Sequence, residues 1–98
     1  MTLLRICADI PSHKRHEFEQ AVASLLKKEK QNALSCRIYE EIGHPNRVCY
    51  LGEWPSREKL EAYFQSGDFK FLVGAMGVLG EILTKQIITA DHIEDLPL

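Results

Sequence analysis

The sequence predicts one α+β domain, spanning residues 1–98, with the ferredoxin-like element order β-α-β-β-α-α-β. Four short runs are rich in apolar or β-branched residues, and three segments between them carry apolar residues at helical spacing. A chain of 98 residues with 45% hydrophobic content is long enough for a single core and no more. The prediction is therefore a four-stranded antiparallel sheet with its helices on one face.

The first half of this unit is a strand followed by a long helix. Residues 3–8 are mostly apolar and stop before Asp9 and Pro11, which is typical of a buried strand. Ser12 is a candidate N-cap for the helix that follows. The apolar residues of that helix recur at the spacing of one buried face: Phe18, Ala21, Val22, Leu25 and Leu26. Basic residues suit the dipole at its C-terminal end: Lys27, Lys28 and Lys30.

The middle of the chain predicts an antiparallel hairpin. Residues 35–41 alternate in polarity, and residues 47–54 form a second extended run. Between them lie turn-forming residues: Gly43, His44, Pro45 and Asn46. A connection of about five residues is a common hairpin length.

The last third predicts two helices and a strand. Ser56 is a plausible N-cap for a short helix that buries Leu60, Tyr63 and Phe64 and ends at Gly67. Asp68 is the expected cap of the next helix, whose buried face would be Phe69, Leu72, Val73, Met76 and Leu79. Residues 82–90 are rich in isoleucine and threonine and predict the fourth strand. Residues 91–98 are expected to form a tail.

Helices on one face leave the other face of the sheet uncovered. Whichever register holds, alternate strand positions would place apolar side chains there, and a domain this small cannot leave such a face in water. A second copy of the chain, packed sheet to sheet across a two-fold axis, is the simplest cover. The sequence therefore predicts a homodimer.

Charge and hydropathy exclude several classes of partner. The 12 basic and 14 acidic residues give a net charge of −2 and are spread along the chain, so no basic surface for nucleic acid is expected. No apolar run approaches the roughly 20 residues that span a bilayer, and no leader pattern follows Met1. We expect a cytoplasmic protein with neither a nucleic acid nor a membrane partner.

The cysteines and histidines predict no metal or cofactor site. Cys7, Cys36 and Cys49 lack CxxC spacing and are expected to be small buried residues of a reducing compartment rather than a disulfide framework. His13 and His16 lie in a solvated first helical turn without the HExxH arrangement. Since no convergent set of ligands or phosphate-binding loop emerges, we expect no bound haem, flavin or metal.

The segment from Cys49 to Phe69, CYLGEWPSREKLEAYFQSGDF, resembles the antibiotic biosynthesis monooxygenase family, which includes small quinol monooxygenases. Members show a strand that ends with an acidic residue near a Trp, then a polar cap, a helix with Leu and an aromatic residue or His, and a Ser-x-x-Phe step. The matching residues here are Glu53, Trp54, Ser56, Leu60, Tyr63, Ser66 and Phe69.

The resemblance implies a dimeric α+β barrel with a pocket between the helices and the sheet of each subunit. It also implies oxygen chemistry on phenolic or quinol-type aromatic molecules without flavin, haem or metal, with O₂ as co-substrate. Many quinol-type members have His where this chain has Tyr63. A tyrosine is a poor general base at neutral pH, so base catalysis from this position is not expected.

Five residues are candidates for the site. Trp54 and Tyr63 are expected to wall a pocket and to hold a substrate oxygen, although both are also suited to core packing. His92 is the candidate that removes a proton, if a C-terminal extension reaches a neighbouring subunit. Phe69 and Arg37 complete the predicted substrate-binding set, with solvent exposure or a dimer contact as the alternative for Arg37. Glu53 alternates with Trp54 and is expected to face away from it.

Three functions are compatible with this pattern. The first is a cofactor-independent monooxygenase that acts on an aromatic, phenolic or quinol-type small molecule. The second is a non-catalytic, dimeric small-molecule-binding or stress-associated protein of the same fold, which the absence of His at Tyr63 favours. The third, haem degradation, is disfavoured because Tyr63 and Val73 stand near the positions where haem-degrading relatives have Trp and His.

Overall fold

The computed structural model describes residues 1–29 and 33–98. The elements follow one another in the order β1 (Thr2–Asp9), α1 (Ser12–Glu29), β2 (Ser35–Glu40), β3 (Arg47–Trp54), α2 (Arg57–Phe64), α3 (Gly67–Leu79), β4 (Glu81–Thr89) and β5 (His92–Asp95). Lys30, expected at the end of the first helix, lies outside the described residues. The chain therefore has the predicted α+β order with one strand added at its end.

The strands form one antiparallel sheet in the order β2-β3-β1-β4-β5. Without β5 this is the strand order of the ferredoxin-like fold, so the predicted topology is confirmed in its first four strands. The expectation of a four-stranded sheet and an unpaired tail is wrong, because residues from His92 to Asp95 pair with β4. β4 is thus an interior strand.

Side-chain caps mark the starts of the second and third helices. Ser56 accepts a hydrogen bond from the backbone N–H of Lys59 (3.3 Å), as its position before α2 predicts. The cap of α3 is Ser66, which accepts from the N–H of Phe69 (3.2 Å). The predicted cap Asp68 instead lies in the first turn of α3, where its charge is favourable to the helix dipole.

The helices cover the face of the sheet formed by even-numbered residues of β1, β2 and β3. Leu4, Ile6 and Ala8 are fully buried on the central strand and lie opposite Gly52, Tyr50 and Val48 of β3. The helices contribute fully or almost fully buried residues to the same core: Phe18, Val22, Leu25, Leu60, Leu72 and Met76. This apolar layer extends to Trp54, the last residue of β3, which is buried on the same face.

We call the opposite side of the sheet the open face, and it is more polar than predicted. Leu3, Leu51 and Ile88 supply apolar surface there and are half-buried. Arg5 lies among them and donates hydrogen bonds to the Tyr39 hydroxyl (2.9 Å) and to further acceptors on the neighbouring strands. The expected apolar face is therefore a mixture of apolar patches and a hydrogen-bonded polar network.

The open face also carries a disulfide bond between Cys7 and Cys49, which lie directly opposite each other on β1 and β3. The expectation of three unpaired cysteines is wrong, because the register of the two strands brings their Cα atoms to 4.1 Å. Cys36 lies outside this disulfide, buried on the helix-covered face, where its thiol donates to the backbone carbonyl of Leu26 (3.6 Å).

The last strand is held against α2 by an ion pair. Arg57 binds both carboxylate oxygens of Glu94, at 3.0 and 3.1 Å, and also contacts Glu61 one turn along its own helix. The hydrogen bonds that Arg57 donates to Glu94 are the largest cause of the lowered pKa of Glu94, and those that it donates to Glu94 and Glu61 raise the pKa of Arg57 itself. The C-terminal strand therefore folds onto its own chain.

Within the described ranges, no helix combines the length and hydropathy that crossing a membrane would need.

Candidate functional site

Trp54 ends β3 on the helix-covered face, and 2% of its surface is exposed. It pairs with Thr2 at the start of β1, so it marks one end of the sheet. The chain then turns through Pro55 and the cap residue Ser56 into α2. This tight connection brings the helix back over the indole ring.

Tyr63 lies on the buried face of α2, two turns into the helix, and contacts the indole. The ring centroids of Trp54 and Tyr63 are 4.5 Å apart with a 32° angle between planes. The Phe69 ring meets Tyr63 edge-on at 5.5 Å, and Phe64 lies 4.9 Å from Phe69. We call these four residues the aromatic cluster, and their offset and edge-to-face geometries are the ones that aromatic rings prefer.

Ser66 sets the spacing between Tyr63 and Phe69. Its hydroxyl donates to the backbone carbonyl of Tyr63 (2.6 Å), and its oxygen accepts from the backbone N–H of Phe69 (3.2 Å). One side chain thus ends α2 and begins α3. The Ser-x-x-Phe step in the sequence therefore has a structural role, which is to hold two rings of the aromatic cluster.

The Trp54 indole N–H is buried and, among the described residues, has no hydrogen-bond partner. Leaving a buried donor unsatisfied costs about 1–3 kcal/mol. A natural core residue that retains such a donor is a candidate for binding an acceptor from a ligand. The donor belongs to a ring of the aromatic cluster, so a flat molecule with an acceptor oxygen matches it chemically.

The structure brings together three of the five predicted site residues: Trp54, Tyr63 and Phe69. His92 is exposed at the start of β5, three strands away from β3, which is about 14 Å at the usual strand spacing. Arg37 is exposed on the open face. Within one chain, these two residues do not approach the aromatic cluster.

Glu53 is on the open face, as its alternation with Trp54 predicts, and its carboxylate accepts a hydrogen bond from the Ser35 hydroxyl (3.2 Å). Sequence reasoning missed Tyr50, which is fully buried on the same face of β3 as Trp54. The Tyr50 hydroxyl lies over Gly52, 2.6 Å from where a Cβ atom would stand. The alternation along β3 is the signal that would have found it.

A depression of about 250 Å³ opens between α1 and the hairpin, lined by residues that include Phe18, Ile38 and Val48. Val48 is six residues before Trp54 on β3, so this depression is about 20 Å from the aromatic cluster. Within the aromatic cluster, Trp54 and Tyr63 are almost fully buried, whereas Phe64 and Phe69 are half-buried.

A second group of reactive side chains lies on the open face. The Glu41 carboxylate oxygen is 3.4 Å from the sulfur of Cys49 and 4.0 Å from that of Cys7. These three ligand atoms lie within 4.8 Å of one another. The expectation that cysteine and carboxylate side chains do not converge is therefore wrong here, because β1 pairs Cys7 with Cys49 of β3, and Glu41 directly follows β2 beside them.

Comparison with solved structures defines the class of fold. An antibiotic biosynthesis monooxygenase structure superposes with a TM-score of 0.75 at 17% identity, covering 96% of this chain and 100% of the other. SnoaB, a cofactor-independent oxygenase from Streptomyces nogalater, gives a TM-score of 0.74 at 13% identity, with 93% of each chain covered. A conserved protein from Methanosarcina mazei gives 0.75 at 18% identity, covering 95% of this chain and 89% of that one.

The chain therefore has the fold of the antibiotic biosynthesis monooxygenases. Neither a protein-family model nor a curated protein sequence matches it. The likeness thus lies in the three-dimensional structure, and at these sequence identities it shows the fold alone.

Proposed function

We propose that this protein is a cofactor-independent monooxygenase that oxidises a phenolic or quinol-type aromatic molecule with O₂. The observation that carries the proposal is the unpartnered, buried N–H of Trp54, which lies within a stack of aromatic rings. The same fold in SnoaB, named as a cofactor-independent oxygenase, supports it.

The chemistry requires no group beyond the substrate and O₂. A deprotonated quinol is electron-rich and can give an electron to O₂. One oxygen atom then enters the ring, and the other leaves as water with the two hydrogens that the quinol loses. The protein has to hold the ring, exclude water and stabilise the negative charge on the substrate oxygen.

The aromatic cluster supplies side chains for these tasks. Trp54 would donate its indole N–H to the substrate oxyanion, and the Tyr63 and Phe69 rings would wall the substrate. Because Trp54 and Tyr63 are both almost fully buried, a ligand has to part their rings on entry. Proton loss is assigned to the acidity of the substrate itself, or to His92 only if a second chain brings it near.

We further propose that the protein works as a homodimer joined through the open face. Leu3, Leu51 and Ile88 are only half-buried there in the isolated chain, and a second sheet would cover them. A stable interface of this kind buries on the order of 2,000 Å² in total or more. Sedimentation at micromolar concentration should give twice the 11.2 kDa chain mass, and a compact monomer would overturn this assembly.

The activity is tested by oxygen uptake with a dihydroxynaphthalene or dihydroxyanthracene probe. Trp54→Phe keeps a ring and removes the N–H, so turnover should fall by about tenfold or more if the donor acts in the transition state. Tyr63→Phe tests the phenol hydroxyl by the same assay, with a loss of similar size expected if that hydroxyl also holds the substrate oxygen. Phe71→Leu is the control, since this exposed ring of α3 lies outside both the aromatic cluster and the open face, and its loss should leave turnover unchanged.

The alternative is a non-catalytic binding protein. The burial of Trp54 and Tyr63, and the presence of Tyr rather than His at position 63, favour it. Trp54 is the only tryptophan, so its fluorescence reports ligand binding directly. If these probes change the fluorescence of the wild type but cause no oxygen uptake, the binding function is supported and the monooxygenase function is contradicted. Absence of both would remove the aromatic cluster as a site for such molecules.

A further inference from the structure

We propose that the open face holds a second site, in which the reduced thiols of Cys7 and Cys49 and the carboxylate of Glu41 bind one thiophilic divalent cation, with Zn²⁺ the best match. Reduction of the disulfide by an external thiol or phosphine adds two electrons and two protons and frees both sulfurs. Binding of the cation then releases the two thiol protons. The site is separate from the aromatic cluster and does not rest on the proposed monooxygenase activity.

Distances between the ligand atoms match a tetrahedral zinc site. Zinc binds sulfur at about 2.3 Å and carboxylate oxygen at about 2.1 Å, which places sulfur and oxygen about 3.6 Å apart in a tetrahedron. The observed separations from the Glu41 oxygen are 3.4 Å to Cys49 and 4.0 Å to Cys7. Only the two sulfurs have to move apart, from a bond to about 3.8 Å.

The strands allow this opening. Cys7 and Cys49 are directly opposed on an antiparallel pair, where Cβ atoms stand about 4.5–5.5 Å apart when no bond joins the side chains. Rotation of the two side chains is then sufficient, and the backbone pairing of β1 and β3 is retained. The third ligand lies on the hairpin, where Glu41 donates its backbone N–H to the carbonyl of Arg47 (3.3 Å) and so extends the ladder of β2 and β3.

Two arginines hold the carboxylate in place. Arg5 binds one oxygen of Glu41 at 2.9 Å, and Arg47 binds the other at 3.4 Å. Outer hydrogen bonds of this kind orient ligating carboxylates in metal sites. When the thiols are deprotonated, the three ligands carry three negative charges against two positive ones, so an excess negative charge remains for a divalent cation to neutralise.

The donor set selects the type of cation. Two thiolates and one carboxylate suit Zn²⁺ rather than Mg²⁺ or Ca²⁺, which prefer oxygen ligands only. Three protein ligands leave the fourth position of a tetrahedral zinc to water or another donor. Because the disulfide occupies both sulfurs, the oxidised chain has no such site. A reducing compartment would keep the pair reduced and available.

Co²⁺ is the probe, since its thiolate complexes give charge-transfer bands that Zn²⁺ abolishes on displacement. The full chain is reduced with a phosphine, freed of reductant, and its thiols counted before titration. The reduced wild type should bind one Co²⁺ per chain with thiolate bands, and the oxidised wild type should bind none. This oxidised sample has the same sequence, so the comparison does not depend on any variant folding.

Variants then assign the ligands. Cys36→Ser is the matched control, because Cys36 lies on the helix-covered face, and it should bind as the wild type does. Cys49→Ser should lose the thiolate bands, and Glu41→Gln should weaken binding by about tenfold or more, at least the loss seen when outer-shell partners of metal ligands are removed. A reduced wild type with three counted thiols and no thiolate band would overturn the proposal, as would a band that depends on Cys36.

Discussion

The two faces of the sheet are built from alternate residues of the same strands, yet different interactions stabilise them. On β1, Leu4 and Ile6 are fully buried under the helices, whereas Arg5 and Cys7, which alternate with them, belong to the open face. The helix-covered face is held by apolar packing. The open face is held by a disulfide and by hydrogen-bonded ion pairs around Glu41.

The difference shows where chemistry is possible in a chain this small. The helix-covered face can exclude water, so a single donor such as the Trp54 indole N–H is a specific feature there. The open face concentrates ion pairs and two sulfurs on the side of the sheet that no helix covers, which suits reversible covalent and metal chemistry. The same alternation therefore places one candidate site in the aromatic cluster and another in the polar network around Glu41, on opposite sides of one sheet.

The largest expected effect comes from breaking the covalent link of the open face. The two cysteines are 42 residues apart, and closing a loop of that size stabilises the folded chain by about 4 kcal/mol in the chain-entropy account. Urea unfolding of oxidised and reduced protein in a Cys36→Ala background, which prevents exchange with the third thiol, should differ by about this amount. Coincident unfolding midpoints would show that the disulfide adds nothing to the open face.

A smaller effect is expected from overpacking the helix-covered face. An added methyl at Gly52 would meet the Tyr50 hydroxyl at 2.6 Å and its ring at 3.0 Å, so Gly52→Ala should cost about 1–3 kcal/mol. Adding Tyr50→Phe removes the nearest atom and should recover part of the loss in a double-mutant cycle. Gly74→Ala is the control: nothing lies within 4 Å of its added methyl, so helix propensity should leave the protein unchanged or slightly more stable. A Gly52→Ala variant as stable as wild type would mean that this face is more loosely packed than the structure indicates.

The smallest effect concerns the exposed ion pair between α2 and β5, at the edge of the helix-covered face. Because the pKa of Glu94 is lower in the folded chain than its ordinary value of 4.5, its stabilising effect is present above that pH and is lost as the pH falls through the folded value. Glu94→Gln should slightly reduce stability at pH 7 and remove this part of the acid sensitivity. Glu61→Gln breaks the other ion pair of Arg57 and should leave β5 attached. The Leu96 amide donates to the carbonyl of Lys85 at 2.8 Å, so its hydrogen-exchange rate reports whether β5 is attached to β4. Equal exchange rates in both variants would contradict a role of the Glu94 ion pair in holding β5.

Local patterns predicted much of the fold and of the candidate site in the aromatic cluster. The third strand has its predicted limits, Arg47–Trp54, because Pro55 and the hairpin turn bound it in the sequence. Tyr63 was placed inward by its spacing from Leu60, and the structure buries both. The cap of α3 was misplaced by two residues, since Ser66 and Asp68 are both good N-caps and local sequence does not choose between them.

The rest depended on pairings between distant residues. The Cys7–Cys49 bond follows from the register of β1 against β3, and no local pattern of either strand fixes that register. β5 was missed because a four-residue run with three polar members carries little strand signal, and its place is set by β4 and Arg57. The polar network was missed for the same reason, since Arg5 lies on β1 and its partners Tyr39 and Glu41 lie on β2 and just after it.

The short fifth strand also has a consequence for self-association. β4 is nine residues long and rich in isoleucine and threonine, and as an outermost strand it would offer a row of free backbone groups to any other extended chain. β5 covers part of that row, and it is itself brief and carries charge at Glu94 and Asp95. Such strands resist the edge-to-edge growth that leads to amyloid. Removal of residues 91–98 is therefore expected to make the chain aggregate while it is still folded.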